Sequence, residues 1–363
     1  MRRQLAARKR VQKKVEMIKR KMVLLTWGHS NPRTAKTATG LLRYCPDECV
    51  AVFDPDNAGR LARELLETGG DIPMIAKLSE APDADTLVMG IAPPGGRIPE
   101  AWRAVLLEAI DRGMNLLSGL HDFLSDDPEL VRAAAAKNVK ITDVRKNSFR
   151  QIARRQGINP NCLRIHTVGH DCSVGKMVVS LELARGLKAR GRDAQFVATG
   201  QTGIMVAGAG LPLDCIVADF VSGGAEHLVM ENQHHEILVI EGQGSLVHPS
   251  YSGVTLSLLH GCMPHALVFV FEASRDCVGG LEHVKLPSLA EQRKLFETMA
   301  SIYQPCSTIG FAMNGRSLTP DDARCLAQQI ESEMQLPVVD VIRDGADRLL
   351  DAVERFHSQD DWR

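Results

Sequence analysis

The sequence predicts an α/β protein built from two parallel-sheet domains, on three observations. Its 363 residues are about twice a typical domain length, so two cores are expected. Short aliphatic strands alternate with amphipathic helices along most of the chain, the pattern of a parallel sheet covered on both faces. Near the middle, the apolar strand LRIHTV runs into a Gly-rich turn that opens a helix, the arrangement that holds phosphate in such folds.

Composition narrows the class further. With 44% hydrophobic, 24% charged and only 4% aromatic residues, the cores must be aliphatic. A formal net charge of -1 supplies no overall field for nucleic acid or an anionic membrane, so neither partner is expected, whereas a small-molecule substrate and a homo-oligomer are both compatible. The nine cysteines are scattered and contain no CxxC pair, which argues against a disulfide framework or a zinc ribbon and for a reducing cytoplasm. No apolar run approaches the roughly 18 to 20 residues of a membrane span, and no signal-peptide core follows the basic N-terminus. The first 21 residues hold ten Lys or Arg against one acid, Glu16, with no aromatic interleaved. Residues 1–21 therefore read as a solvated basic extension rather than a nucleic-acid arm.

From Met22 the pattern gives strands over 23–28, 49–53, 86–91, 115–120 and 140–143, with helices over 34–43, 59–67, 100–112 and 128–137. These form a first domain over 22–147. A polar, basic stretch containing Gly157 and Pro160 places a linker at 148–161. The second domain, 162–363, reads as strands over 163–168, 194–198, 237–240, 266–271, 308–312 and 338–341, with helices over 176–190, 289–302 and 320–334.

The segment Gly169-His170-Asp171-Cys172-Ser173-Val174-Gly175-Lys176 fits GxxxxGK and sits between a strand and a helix. Glycines at both ends let the backbone curl its N–H groups around an anion at the positive end of the helix, and Lys176 adds a point charge. Gly169, Asp171, Cys172, Ser173, Val174, Gly175, Lys176 and Met177 are thus the expected phosphate-binding residues. Met177 stands where the nucleoside-triphosphatase motif places the Ser or Thr that holds magnesium. A thioether is a poor ligand for a hard cation, so no metal is expected and the loop suits the phosphates of coenzyme A.

Other segments converge on the same crevice. The strand Ile237-Leu238-Val239-Ile240 ends in Glu241 and flexible glycines, and Glu241 and His248 are the candidate general bases beside Lys176. Gln201, Thr202, Asp219, Gln243 and Ser245 are the candidate substrate contacts, with an N–H of the Gln201 to Gly203 turn as a candidate oxyanion donor. In the first domain, Gly28 to Thr34 follows a strand and Asp54 ends the next, but GxGxxG is lacking and NAD is not expected. The turn from Gly90 to Gly96 is a further strand-end candidate. An acidic substrate calls for an arginine, for which Arg33, Arg275 and Arg316 are candidates.

Four motifs in order, VGHDCSVGKM, ATGQTGI, VADFVSGGAEHL and IEGQGSLVHPSYSGVTLSLLHG, resemble the P-loop family that contains D-glutamate N-acetyltransferase, long catalogued as a domain of unknown function. TAKTATGLLRY, GIAPPGG and LLSGLHDFLSD extend the resemblance through the N-terminal half. It implies a Rossmann-like domain followed by a P-loop NTPase-like domain, both with mainly parallel sheets covered by helices. It also implies acetyl transfer from acetyl-CoA to the amine of an acidic D-amino acid such as D-glutamate. The competing readings are an ATP- and magnesium-dependent ligase or kinase of dethiobiotin-synthetase type, and a nucleotide-binding protein without turnover.

Overall fold

A computed structural model of the chain describes residues 20–91, 98–359 and 362, so the basic extension and residues 92–96 of the Gly90 to Gly96 turn fall almost wholly outside the described residues. The chain separates into two compact units, divided between Asp143 and Val144.

The first unit holds six strands: β1 (Met22–Leu25), β2 (Cys49–Phe53), β3 (Met74–Ile75), β4 (Thr86–Met89), β5 (Asn115–Ser118) and β6 (Ile141–Asp143). They pair in parallel in the order β3-β2-β1-β4-β5-β6. This is the doubly wound Rossmann order, with its switch point between β1 and β4. Helices Lys36–Tyr44, Ala62–Leu66, Arg103–Asp111 and Pro128–Lys137 connect the strands. The last is the clearest from sequence: Asp127 accepts from the amides of Glu129 and Leu130, and Pro128 starts the first turn. Leu25, Phe53, Leu87, Met89, Trp102, Leu106 and Leu116 share the core. The two-residue β3 is too short to carry a period and was not anticipated.

The second unit repeats the principle. Strands β7 (Leu163–Gly169), β8 (Ala194–Val197), β9 (Ile237–Ile240), β10 (Ala266–Glu272), β13 (Ser307–Asn314) and β14 (Val338–Val339) pair in parallel in the order β14-β13-β10-β7-β9-β8. A separate hairpin joins β11 (Cys277–Val278) to β12 (Leu281–Lys285). Strand β7 thus lies between β9 and β10 at the switch point, and its C-terminal end opens into the Gly-rich loop. Two apolar clusters cover the sheet, one built on Phe269, Phe296 and Phe311, the other on Leu213, Val229, Leu238 and Ile240. Each fully buried side chain of this size contributes about 1.5 to 3 kcal/mol.

Four helices depart from the sequence expectation: Gln201–Ala207, Ala218–Asn232, Ser252–Cys262 and Asp347–Ser358. The glycines of the first three read as turns, but they serve close packing. An added Cβ at Gly261 would lie 2.2 Å from the Ser222 carbonyl oxygen and 2.7 Å from Ala225 Cβ, so helices 218–232 and 252–262 can approach only because residue 261 has no side chain. The stretch expected to be a linker is bonded along this unit. Glu226 accepts from the amides of Arg154 and Arg155, and Asn159 Nδ2 donates to the Gln233 carbonyl at 3.0 Å.

The expected effect of Gly261→Ala is a loss of about 1 to 3 kcal/mol in urea unfolding, the usual cost of overpacking. An unchanged midpoint and slope would show that the two helices have room to separate.

Candidate active site

The loop takes its shape from two left-handed residues, Ser173 at φ 60° and Gly175 at φ 116°. Gly175 is the N-terminal flank of helix Lys176–Ala189, and no side chain caps that end, so its first-turn amides and the positive dipole end form an anion seat. Val174 is fully buried, and its carbonyl accepts from Asn314 Nδ2 at 3.3 Å. Lys176 is buried, and its Nζ donates to the Asp171 carbonyl at 2.7 Å, arching over the loop. Burial pulls its ammonium down to about 8.

Asp171 is committed to the loop itself. Its Oδ1 accepts from the Cys172 amide at 2.6 Å, and its Oδ2 accepts from Gly279 N at 2.7 Å and from Arg275 Nη1 at 2.9 Å. Burial alone would raise this carboxyl, but the bonds from Gly279 and Arg275 outweigh it and hold the pKa below its ordinary value. Arg275 also donates to the Cys172 carbonyl and pairs with Glu272, so it braces the loop. His170 accepts from the Glu272 amide at 3.3 Å, and burial lowers its pKa to about 3, which leaves a neutral ring. Cys172 and Met177 are half-buried and Ser173 is exposed.

Glu241 follows β9 and is buried. Its Oε2 accepts from the amides of Thr199 at 2.9 Å and Gly200 at 3.1 Å, while Thr199 Oγ1 donates to the Glu241 carbonyl at 2.9 Å. Two glycines make room for it, and a third, Gly242, lets the chain pass close to β7. A Cβ at Gly203 would fall 2.4 Å from Glu241 Oε2, one at Gly200 would fall 3.3 Å from Oε1, and one at Gly242 would fall 1.8 Å from the Thr167 carbonyl oxygen. Burial pushes the carboxyl up to about 7, against the two amide bonds that favour its anion; Asp214 pushes it further up and Lys176 draws it down.

His248 is also buried, but both ring nitrogens are engaged. Nδ1 accepts from Ser250 N at 3.1 Å, so Nε2 carries the proton and donates to the Gly279 carbonyl at 3.3 Å. Its lone pair holds a turn, whereas Glu241 has an oxygen outside the two amide bonds. Ser245 is fully buried and its hydroxyl and carbonyl accept from Val247 N and His248 N within the same turn. Gln201 and Gln243 are half-buried beside Glu241, and Thr202 is buried in helix Gln201–Ala207. The Gln201 to Gly203 turn is the first turn of that helix, and the two amides preceding it serve Glu241. Asp219 lies exposed in the first turn of helix Ala218–Asn232; the acid of that segment that reaches the site is Asp214.

Sequence reasoning missed Asp214 and its partner Arg145. Arg145 Nη2 donates to Asp214 Oδ2 at 2.8 Å and to Gln201 Oε1 at 2.7 Å. An arginine inside a polar, basic stretch gives no local signal for this. The hairpin turn Gly279-Gly280 could have been recognised, because paired glycines favour tight hairpins. In the first unit, Asp54 is buried and accepts from Ser30 Oγ and Asn57 Nδ2, so it organises its own turn. Among the described residues, no helix is long and apolar enough to cross a membrane.

Comparison with known proteins fits this geometry. Residues 151–350 match a P-loop domain of unknown function, DUF1611_C, and residues 55–147 match its Rossmann-like partner, DUF1611_N. The chain belongs to the DUF1611 family. A D-glutamate N-acetyltransferase of Tritonibacter scottomollicae is 39% identical over 320 residues, covering 88% of this chain and 94% of the relative. A protein of the same name from a Pseudoalteromonas species is 38% identical over 268 residues, 74% of this chain and 80% of that one. The crystal structure of a DUF1611 protein from Anabaena variabilis superposes with a TM-score of 0.86 at 37% identity, over 92% of this chain and 99% of that one.

The raised Glu241 pKa carries a stability signature. The folded state keeps its proton to about pH 7, whereas an unfolded glutamate loses it near pH 4.5, so folding is penalised progressively as pH rises between these values. The shift corresponds to a penalty on the order of 3 kcal/mol. Glu241→Gln is expected to gain stability over the wild type across pH 4.5 to 7, read as the difference between two denaturation series. A difference that does not change with pH would mean that Glu241 titrates normally.

Proposed function

We propose that this chain transfers the acetyl group of acetyl-CoA to the amine of an acidic D-amino acid, D-glutamate being the first choice. The observation that carries the reading is a buried carboxylate poised near neutrality beside a phosphate loop whose metal-ligating position is a methionine. The site offers a seat for phosphates and a base, the two requirements of acyl transfer from a phosphate-tethered thioester. The names of the two curated relatives support the same chemistry and the same acceptor.

The loop amides and Lys176 receive the phosphates of coenzyme A, each charge-assisted bond adding about 1.5 to 3 kcal/mol. Glu241 takes a proton from the substrate ammonium. The freed amine attacks the thioester carbonyl, the tetrahedral adduct collapses, and the thiolate of coenzyme A leaves and takes up a proton. Asp171 and Arg275 act earlier, by holding the loop in its binding shape.

Acetylation of D-glutamate in the presence of EDTA tests this directly. The expected outcome is turnover whose rate climbs with pH through about 7 as Glu241 loses its proton, and a 10²- to 10⁴-fold lower kcat in Glu241→Gln. Product formation that requires ATP and magnesium would replace the reading with that of a ligase.

A further inference from the structure

Two glutamines stand on the segments that hold the Glu241 carboxylate, Gln201 directly after Gly200, whose amide binds it, and Gln243 two residues beyond Glu241, and buried hydrogen-bond chains fix which end of each amide is presented. A guanidinium has donors only, so the Gln201 atom that meets Arg145 Nη2 at 2.7 Å must be the carbonyl Oε1. Arg145 is buried and cannot turn aside, because its Nε and Nη2 both donate to Asp214 Oδ2, at 3.1 and 2.8 Å. Asp214 is held in turn by the 3-10 turn Leu213–Cys215, whose Leu213 amide donates to the Thr199 carbonyl at 3.0 Å. Thr199 then closes the ring, since its own amide binds Glu241. The –NH2 of Gln201 is therefore turned away from the ion pair as a donor.

The opposite holds for Gln243. Thr199 spends its hydroxyl proton on the Glu241 carbonyl, so its Oγ1 can only accept, and it accepts from Gln243 Nε2 at 3.1 Å. Gln243 Oε1 is left as an acceptor. Both side chains are half-buried, within reach of a small ligand. Gln201 thus offers a donor and Gln243 an acceptor, each from a segment bonded to Glu241 or to its partner Thr199. An α-amino acid has the complementary pair, a carboxylate that only accepts and an ammonium that only donates.

We propose that Gln201 binds a carboxylate of the acceptor amino acid, and that Arg145 is the positioning residue that keeps the –NH2 of Gln201 facing it. This assignment rests on the acetyltransferase reading above. It explains why a cation so near an acidic substrate is already paired with Asp214: Arg145 acts through the amide it orients. It places the basis for acidic-substrate recognition on a neutral donor rather than on Arg33, Arg275 or Arg316.

The test uses the full chain with acetyl-CoA and D-glutamate, and glutarate as a competitive inhibitor that has the carboxylates without the ammonium. Gln201→Glu keeps an oxygen for Arg145 but exchanges the donor for an anionic acceptor. The expected result is an increase of tenfold or more in both the KM for D-glutamate and the Ki of glutarate, with the thermal shift caused by acetyl-CoA unchanged. Arg145→Met should move both constants in the same direction, and Arg145→Lys, which restores a donor for Oε1, should recover part of the loss. Constants within twofold of the wild type in Gln201→Glu would overturn the assignment. So would a parallel loss of the acetyl-CoA shift, which would place Gln201 on the donor side. A wild type that acetylates no acidic amino acid would instead remove the acetyltransferase reading, and this assignment with it.

Discussion

The second unit is organised around one costly placement, a carboxylate buried at the end of strand β9. Taking Glu241 out of water is tolerable because two backbone amides accept the task that solvent performed, those of Thr199 and Gly200 at the end of the neighbouring strand β8. That solution dictates the glycines. Positions 200, 203 and 242 have no room for a side chain, since any Cβ there would press on Glu241, on Gln243 or on the backbone of β7. Burial then raises this acid's pKa to about 7, which is what the proposed role as base requires.

The phosphate loop works on the opposite principle. Its own acid, Asp171, is held below its usual pKa by Gly279 and Arg275, and stays charged to brace the curl. The Gly279 carbonyl also accepts from His248 Nε2, so the hairpin between β11 and β12 ties the loop to the turn that precedes helix Ser252–Cys262. Two carboxylates in one unit thus have separate duties because their surroundings push their pKa values apart. The loop has the GxxxxGK pattern of nucleotide-binding machinery with a methionine at the Ser or Thr position, which fits the proposed seat for phosphates without a magnesium ligand.

Much of this was legible in the sequence, and the reasons differ by element. The strand, GxxxxGK loop and helix from Leu163 to Ala189 were readable because glycine positions, apolar runs and a basic residue have to coincide there. Helix Pro128–Lys137 was readable from its Asp127 cap and Pro128 start. Helices Ala218–Asn232 and Ser252–Cys262 were obscured because the glycines that let them touch look like turn residues. Glu241 was legible as the acid ending an apolar strand, whereas the bond from Ser250 N that occupies His248 Nδ1 is visible only in the fold. Arg145 and Asp214 lie about seventy residues apart and meet only in the fold. No local pattern encodes such a pair.

The central claim is that the loop around Lys176 seats the phosphates of coenzyme A without a metal ion. The most direct measurement is the unfolding free energy of the wild type and Lys176→Ala with coenzyme A in EDTA. Ligand at 100 times its dissociation constant should stabilise the wild type by about 2.7 kcal/mol and leave the variant unmoved. Equal stabilisation of both proteins, or stabilisation that appears only when ATP and magnesium are supplied, would contradict it.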